Sequence, residues 1–161
     1  MRKMILGGDG EQVVAKEAQW LDLETIAKVE VSSEDELFPI EHALALEAST
    51  GWRASATGPQ VVRLRFDEAQ EVRRILIHVV ERAAERMQEI GVFAEVGGER
   101  REIRRQQFTF SPGGSTEEIE DFAVELNGVT MLELQIDPDR SHDPKQSKNY
   151  ATLMALRVAG R

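Results

Sequence analysis

Short runs of alternating polar and apolar residues, separated by turn signals, constrain the fold of this chain more than any other feature. The clearest runs span residues 62–66, 90–96, 122–126 and 132–136. The turn signals are rich in glycine, proline and asparagine and lie at residues 57–59, 97–98, 111–115 and 127–128. A period of two is typical of strands with one buried face, and such turn residues connect neighbouring strands. The pattern therefore predicts an all-β fold, an antiparallel sandwich or barrel.

Residues 67–90 fit two structures. Apolar residues recur there at spacings of three and four, which indicates an amphipathic helix. Four of the six residues from Ile75 to Val80 are β-branched, which favours a strand, a charged loop over 81–86 and a second strand from Met87. The residue pattern alone leaves both structures open. A short helix is predicted over 38–48, with Pro39 in its first turn.

Composition limits the class of protein. The 161 residues suffice for one domain with a core, and we predict a flexible N-terminus over 1–10 and a single domain over 11–161. No apolar run approaches the roughly 20 residues that a membrane span needs. The chain has no cysteine, and the apolar stretch near its N-terminus is too short for a signal peptide. Both features favour a cytoplasmic location, and the sequence leaves an extracellular location open.

Charge argues against polyanionic partners. The net charge is −9, which predicts neither nucleic-acid binding nor attachment to an anionic membrane. Four arginines do cluster within residues 100–105. If this stretch is a strand, Arg101 and Arg105 share a face with Ile103, and Arg100 and Arg104 point the other way. We predict that these side chains are solvated or ion-paired rather than a phosphate site.

The sequence contains no recognisable catalytic or metal-binding constellation. Its histidines are His42, His78 and His142, and none has a metal-ligand spacing. Aspartates near residues 137–143 fit ordinary turn chemistry and do not continue into a calcium loop. No nucleophile is paired with a base. The chain is therefore predicted to be a binding protein, not an enzyme, with no cofactor and no metal.

Four segments, in order, carry a resemblance to a known family: "VSSEDELFPIEHAL", "STGWRASATGPQVVRLRFDEAQEVRRILI", "RMQEIGVFAEV" and "LMALRVAG". Their order over about 130 residues resembles the discoidin, or coagulation-factor type C (F5/8 type C), domain of the galactose-binding-like superfamily. The resemblance implies a jelly-roll β-sandwich, with two strands and a loop over 67–90. The more distinctive segment 104–126 suggests a bacterial subfamily. Glu47, Ala48 and Ala155 replace residues of the calcium-bearing members, so no calcium site is implied.

The resemblance also implies a ligand site on loops at one end of the sandwich. These loops are 32–38, 53–58 and 81–86, and the predicted ligand-binding residues are Phe38, Arg53, Glu81, Arg82 and Arg86. Arginine donors and glutamate acceptors suit vicinal sugar hydroxyls, so we predict a carbohydrate or small polar ligand. Burying these charges in lipid headgroups would be costly, which argues against membrane insertion. The alternative is an intracellular protein-interaction or self-association module, such as a homodimer formed through an exposed strand face, with no small ligand.

Trp52, between Gly51 and Arg53, admits two roles. It is either a ligand-stacking residue on an exposed loop or a core residue beside a turn. In the family that the chain resembles, this tryptophan packs beneath the loops and anchors the turn to the sandwich. We therefore predict that Trp52 belongs to the core.

Overall fold

The computed structural model describes residues 20–47, 50–139 and 149–160. The predicted flexible segment 1–10 lies outside these residues, so that prediction stands as it was made. The elements in chain order are α1 (Leu23–Ile26), β1 (Ala27–Val31), α2 (Glu41–Leu44), β2 (Trp52–Thr57), β3 (Gln60–Val80), β4 (Arg86–Val96), β5 (Glu99–Phe110), β6 (Glu117–Asp137), β7 (Tyr150–Leu153) and β8 (Ala155–Ala159). Within the described part of the chain, no helix has the length and apolar character needed to cross a membrane.

All strand pairs are antiparallel, and two long strands connect the layers. β3 and β6 each have 21 residues. The first part of β3, 60–65, pairs with β1 and with 131–136 of β6, and β4 and β5 continue this sheet. The second part of β3, 74–80, pairs with β8 and with 117–123 of β6. The predicted all-β sandwich is confirmed.

The core lies between the two parts of these long strands. Large, fully buried side chains come from both parts and from the loops, among them Leu23, Leu44, Trp52, Leu64, Ile75, Ile77, Ile90, Phe110, Leu132, Leu134, Ile136 and Leu153. Removing this much apolar surface from water is the main contribution to the stability of a sandwich without disulfides.

Residues 67–90 form strand, loop and strand, as the resemblance implied. Ile75, Ile77 and Val79 are buried at alternate positions, which is the strand period and not the helix period. The predicted helix over 38–48 is shorter than expected. Of the described residues 38–47 in this range, only Glu41–Leu44 is helical, and Pro39 precedes the N-cap residue Ile40.

The predicted turn at residues 127–128 is wrong. These residues lie inside β6, which continues without reversing. Gly128 has φ of 72°, and the pairing with β3 shifts register between Gln70 and Val72. A glycine in this conformation absorbs an extra residue in a bulge, and the bulge bends the strand. The glycine therefore marks the bend between the two layers.

The arginine cluster lies in β5, with Arg100, Arg104 and Arg105 ion-paired and Arg101 exposed, in line with the prediction of solvated or ion-paired side chains. Arg104 contacts Glu120 at 2.5 Å and stacks on Phe122, with 4.4 Å from the guanidinium carbon to the ring centre. Arg100 and Arg105 both lie over Phe93, at 4.0 and 5.9 Å. The predicted alternation, which put these two arginines on opposite faces, is wrong. A bulge between the Val92 and Phe93 pairings inserts one extra residue in β5 and reverses the parity.

Glu133 is the centre of an ion network on the outer face of this sheet. Its side chain is only 4% exposed, Arg63 Nε donates to it at 2.7 Å, and Arg100 and Gln135 also donate to it. Arg63 also forms an ion pair with Glu30, at 3.3 Å. Breaking a buried pair from one side leaves a charge without a partner, which costs more than the pair itself gains.

Acidification is expected to weaken this network. Burial alone would raise the pKa of Glu133, but hydrogen bonds from Arg100 and Arg63 outweigh it and hold the pKa below the ordinary 4.5. A carboxyl group of this kind stabilises the fold above its unfolded-state pKa, and the contribution is lost as the pH falls through the folded-state pKa. Urea unfolding from neutral pH to about pH 3 should therefore show stability falling below about pH 4.5.

The matched variant is Glu133→Gln. It should lose about 2 kcal/mol at neutral pH and show a flatter acid dependence than the wild type. Parallel stability curves for the two proteins would show that Glu133 contributes nothing to the acid sensitivity.

Candidate binding site at the loop end

A cavity of about 230 Å³ opens among the loops at one end of the sandwich. Four of the five predicted ligand-binding residues line it: Phe38, Arg53, Glu81 and Arg82. Thr50, Trp52, Thr152 and Met154 are among its other walls. The cavity is smaller than the roughly 300–1,000 Å³ that is typical of sites for drug-sized ligands. Its size suits one small ligand, such as a single sugar ring.

Trp52 forms the base of this cavity and belongs to the core, as predicted. It is 2% exposed, and its indole Nε1 donates to the Ser33 carbonyl at 3.0 Å. The preceding residue, Gly51, has φ of 78°, and a Cβ there would lie 2.7 Å from the Leu153 carbonyl oxygen. Only glycine allows the chain to pass this close to β7 and deliver the ring into the core.

Backbone bonds fix Phe38 beside Arg53. The Arg53 amide donates to the Phe38 carbonyl at 3.1 Å, and the Asp35 amide donates to the Arg53 carbonyl at 2.8 Å. Asp35 also closes its own loop, since its carboxylate accepts from the Leu37 amide at 2.9 Å. The predicted loop 53–58 is wrong, because residues 53–57 belong to strand β2. The bonds therefore attach loop 32–38 to the start of this strand, and Phe38 and Arg53 both line the cavity.

Gln60 connects loop 32–38 to residues 56–58, and the sequence analysis did not identify it. The hydroxyls of Ser32 and Ser33 both donate to its Oε1 at 2.7 Å. Its amide nitrogen lies 3.3 Å from the carbonyls of Ala56 and Gly58. Gln60 is buried, so these bonds satisfy a side chain that would otherwise be costly there.

Arg86 does not line the cavity, and its prediction as a direct ligand contact disagrees with its burial. The side chain is 0% exposed, because it is the first inward-facing residue of β4. It donates to Glu81 at 2.8 Å, to Gln88 at 2.7 Å, to the Pro138 carbonyl at 2.9 Å and to the Thr152 hydroxyl at 2.8 Å. Burial lowers the pKa of Arg86, and the bond to Glu81 acts in the opposite direction. Arg86 therefore positions the cavity walls from behind.

Glu81 is held at both carboxylate oxygens. One oxygen accepts from Arg86, and the other accepts from the Ala83 amide at 3.1 Å. Its own amide donates to the Thr116 carbonyl at 2.8 Å. Because the loop after β3 is tied down in this way, Arg82 and Ala83 are presented at the cavity rim.

The two arginines on the cavity wall differ from Arg86. Arg53 is exposed, and its guanidinium carbon lies 5.0 Å from the centre of the Tyr150 ring. Arg82 is also exposed. Neither forms an ion pair with a carboxylate within residues 20–47, 50–139 and 149–160. Both guanidinium groups can therefore donate to a ligand.

Sequence reasoning missed the contribution of β7. Thr152 pairs with Arg53 across β2 and β7, and Thr152 and Met154 line the cavity. The sequence around them reads as one more alternating strand and carries no ligand signature. Only the pairing of a late strand with an early one brings these residues to the site.

Other candidates from the sequence lie away from this cavity or outside the described residues. His78 faces outward and contacts Glu117, with 2.6 Å between Nε2 and Oε1. Ala48, His142 and the aspartate at position 143 are outside the described residues. In the part of the chain that the structure describes, no three side chains of the kinds that ligate metals cluster together.

A second cavity of about 260 Å³ lies beside the outer sheet face. Its walls are Pro59, Glu89, Arg105, Gln135, Ile136 and Asp137. Arg105 is already bound to Glu89 and Glu102. This cavity has no aromatic wall and no unpaired guanidinium, so it is the weaker candidate for a ligand site.

Comparison with known proteins identifies the fold but not the family. No family model matches the chain, and no curated protein matches it in sequence. One similar structure is the family 32 carbohydrate-binding module of Clostridium perfringens NanJ in complex with galactose (14% identity, TM-score 0.60, 87% of this chain and 97% of that chain). Another is CBM32-3 of a family 31 glycoside hydrolase from Clostridium perfringens (14% identity, TM-score 0.64, 91% and 98%).

A third similar structure is bound to another protein, not to a sugar. It is reduced XRCC1 bound to the catalytic domain of DNA polymerase β, with 16% identity, a TM-score of 0.57 and coverage of 84% of this chain and 97% of that chain. At these identities the likenesses show the fold alone. The chain has the all-β galactose-binding-like sandwich that the resemblance implied, and the narrower discoidin assignment stays a prediction.

Proposed function

We propose that this protein is a non-catalytic carbohydrate-binding module that holds a sugar in the loop-end cavity. The observation that carries the proposal is the convergence of Phe38, Arg53, Glu81 and Arg82, from two loops and the start of β2, on one cavity. Loop ends of β-sandwich scaffolds commonly carry binding sites, because the strands hold the loops rigidly.

The cavity walls supply both kinds of contact that a sugar needs. The guanidinium groups of Arg53 and Arg82 donate hydrogen bonds to ring hydroxyls, and the Thr50 and Thr152 side chains add hydroxyls of their own. Phe38 and Met154 offer apolar surface to the C–H face of the ring. A small concave site with an apolar part and a few fixed polar groups is the usual form of a ligand pocket.

The structural neighbours support this assignment. The NanJ module with the same fold was solved in complex with galactose. Another similar module, from CpGH89 of Clostridium perfringens, was solved in complex with a GlcNAc-α-1,4-galactose disaccharide. The alternative, a protein-interaction or self-association module such as a homodimer, has no comparable site in the described structure and becomes an outcome of the test.

A glycan array probed with the purified protein tests the proposal. We expect selective binding to a limited set of saccharides. Light scattering of the same sample would show whether the protein self-associates. A dimer that binds no saccharide at all would overturn the proposal in favour of the self-association module.

Replacing Arg82 with alanine should weaken saccharide binding roughly tenfold, because one charge-assisted hydrogen bond is lost. The melting temperature should not change, since Arg82 is exposed and forms no ion pair within the described residues. Isothermal titration calorimetry and thermal unfolding measure the two quantities.

Arg101→Ala is the matched control. Arg101 is also exposed, but it lies in β5 near the opposite end of β4 from the cavity. Its replacement should leave both affinity and stability unchanged. Equal affinity in the Arg82→Ala protein would remove Arg82 from the site, and an unfolded Arg82→Ala protein would make its role structural.

A further inference from the structure

The arginines of this chain divide into two groups by their partners. Most of those in the described strands bind a carboxylate: Arg63, Arg65, Arg73, Arg74, Arg86, Arg100, Arg104 and Arg105. In a chain with 29 acidic residues and a net charge of −9, such pairing is the expected outcome. An arginine without a carboxylate in this background is therefore informative.

Four described arginines bind no carboxylate of the described residues, and two of these four lie away from the loop-end cavity. Arg101 lies on the exposed strand β5, and Arg157 donates to the Ala43 carbonyl at 3.1 Å. The remaining two, Arg53 and Arg82, both line the cavity. The cavity is small enough for one ligand group to reach both of them.

Three acidic residues of the two neighbouring loops are bound to other groups. Glu81 is bound at both oxygens, by Arg86 and by the Ala83 amide. Asp35 accepts from the Leu37 amide at 2.9 Å, and Glu34 accepts from the Ile40 amide at 3.4 Å. The carboxylates of these three residues are thus bound to backbone amides and to the buried arginine. Arg53 and Arg82 line the cavity without an ion pair to a described carboxylate.

Arg53 is also held in place by neighbouring groups. Its guanidinium stacks on the Tyr150 ring, and its backbone is bonded to loop 32–38 on both sides. A stacked guanidinium loses less side-chain freedom when it binds a planar carboxylate, and its fork of donors matches the two carboxylate oxygens.

We propose that the cavity is specific for acidic saccharides, with the carboxylate of a uronic acid held between Arg53 and Arg82. This inference rests on the proposed carbohydrate-binding function and specifies the ligand class. The carboxylate supplies the negative charge that the eight ion-paired arginines receive from glutamate or aspartate. The sugar ring then lies against Phe38 and Met154.

Matched pairs of sugars test this proposal. Galacturonate and galactose differ only in a carboxylate or a hydroxymethyl group, as do glucuronate and glucose, and mannuronate and mannose. In calorimetric titrations at low salt, we expect the uronate of at least one pair to bind about tenfold more tightly than its neutral partner. The preference should shrink in about 1 M NaCl, where the Debye length falls to about 3 Å.

Arginine variants test whether Arg53 and Arg82 cause the preference for uronates. Arg53→Gln and Arg82→Gln should each reduce the ratio of uronate affinity to neutral-sugar affinity towards one, and Arg101→Gln should leave the ratio unchanged. Thermal unfolding confirms that each variant is folded.

The outcomes separate this inference from the proposed function. Binding of the neutral sugars as tightly as the uronates would overturn the acidic preference and leave carbohydrate binding intact. A uronate preference that persists in both glutamine variants would also overturn it, by moving the carboxylate to another site. Failure of every saccharide, including those of the glycan array, would contradict the proposed function itself.

Discussion

Replacing Trp52 with alanine is expected to lower the free energy of unfolding by about 3–5 kcal/mol, the usual cost of deleting a large aromatic side chain from a core. The ring is 2% exposed and packs where β2 begins, opposite Leu153 of β7. Its removal leaves a void beneath the loop-end cavity and abandons the hydrogen bond to Ser33. Urea unfolding measures the loss, and the melting temperature should fall by roughly 10 °C.

Trp52→Phe is the matched variant. It keeps most of the apolar area but removes the indole donor, so it should cost about 1–2 kcal/mol, the smaller part of the loss. A Trp52→Ala protein with wild-type stability that had lost only saccharide binding would reverse the assignment and make Trp52 a ligand contact.

Replacing Arg86 with methionine should destabilise the fold by about 3–5 kcal/mol and weaken saccharide binding at the same time. Methionine fills much of the space but donates no hydrogen bond. Glu81, Gln88, the Pro138 carbonyl and Thr152 would all lose the donor that connects them. The loop 81–85 would then lose the bond that holds the Glu81 side chain, and with it the cavity rim.

Arg86→Lys separates charge from geometry. Lysine restores a positive charge beside Glu81 but lacks the planar fork that reaches several acceptors, so it should recover only part of the stability. Unfolding measurements and calorimetry should be made on both variants. A stable Arg86→Met protein with weakened binding would return Arg86 to the ligand contacts, where the loop pattern of the sequence predicted it.

Most of the strands were predictable from the sequence because the sandwich buries one face of each strand. Alternation identified the buried face of β3 and of residues 132–136 in β6, and the ordered resemblance resolved the ambiguous segment 67–90. In β4 it failed in part, because Gly91 and Phe93 on the predicted outer face are also buried. The bends were not predictable from alternation. Gly128 has the character of a turn residue in the sequence, but in a paired strand its positive φ makes a bulge.

The site was predictable where the resemblance implied a ligand site at one end of the sandwich. Phe38, Glu81 and Arg82 come from two loops and Arg53 from the start of β2, and they line one cavity there. Arg86 was misplaced because the predicted loop was one residue too long. Counting back by twos from the buried Ile90 reaches Gln88 and Arg86, so the strand period already pointed Arg86 inward. Thr152 depends on the pairing of β7 with β2, which no local pattern encodes.

The most direct test of the central claim is to map a bound saccharide onto the folded protein by NMR chemical-shift perturbation. The saccharide with the strongest glycan-array signal is titrated into isotope-labelled protein. We predict shifts concentrated at the backbone amides of Phe38, Arg53, Arg82, Ala83 and Thr152. Shifts confined to the outer sheet face around Arg105 and Gln135, with the loop-end amides unchanged, would contradict a saccharide site at the loop end.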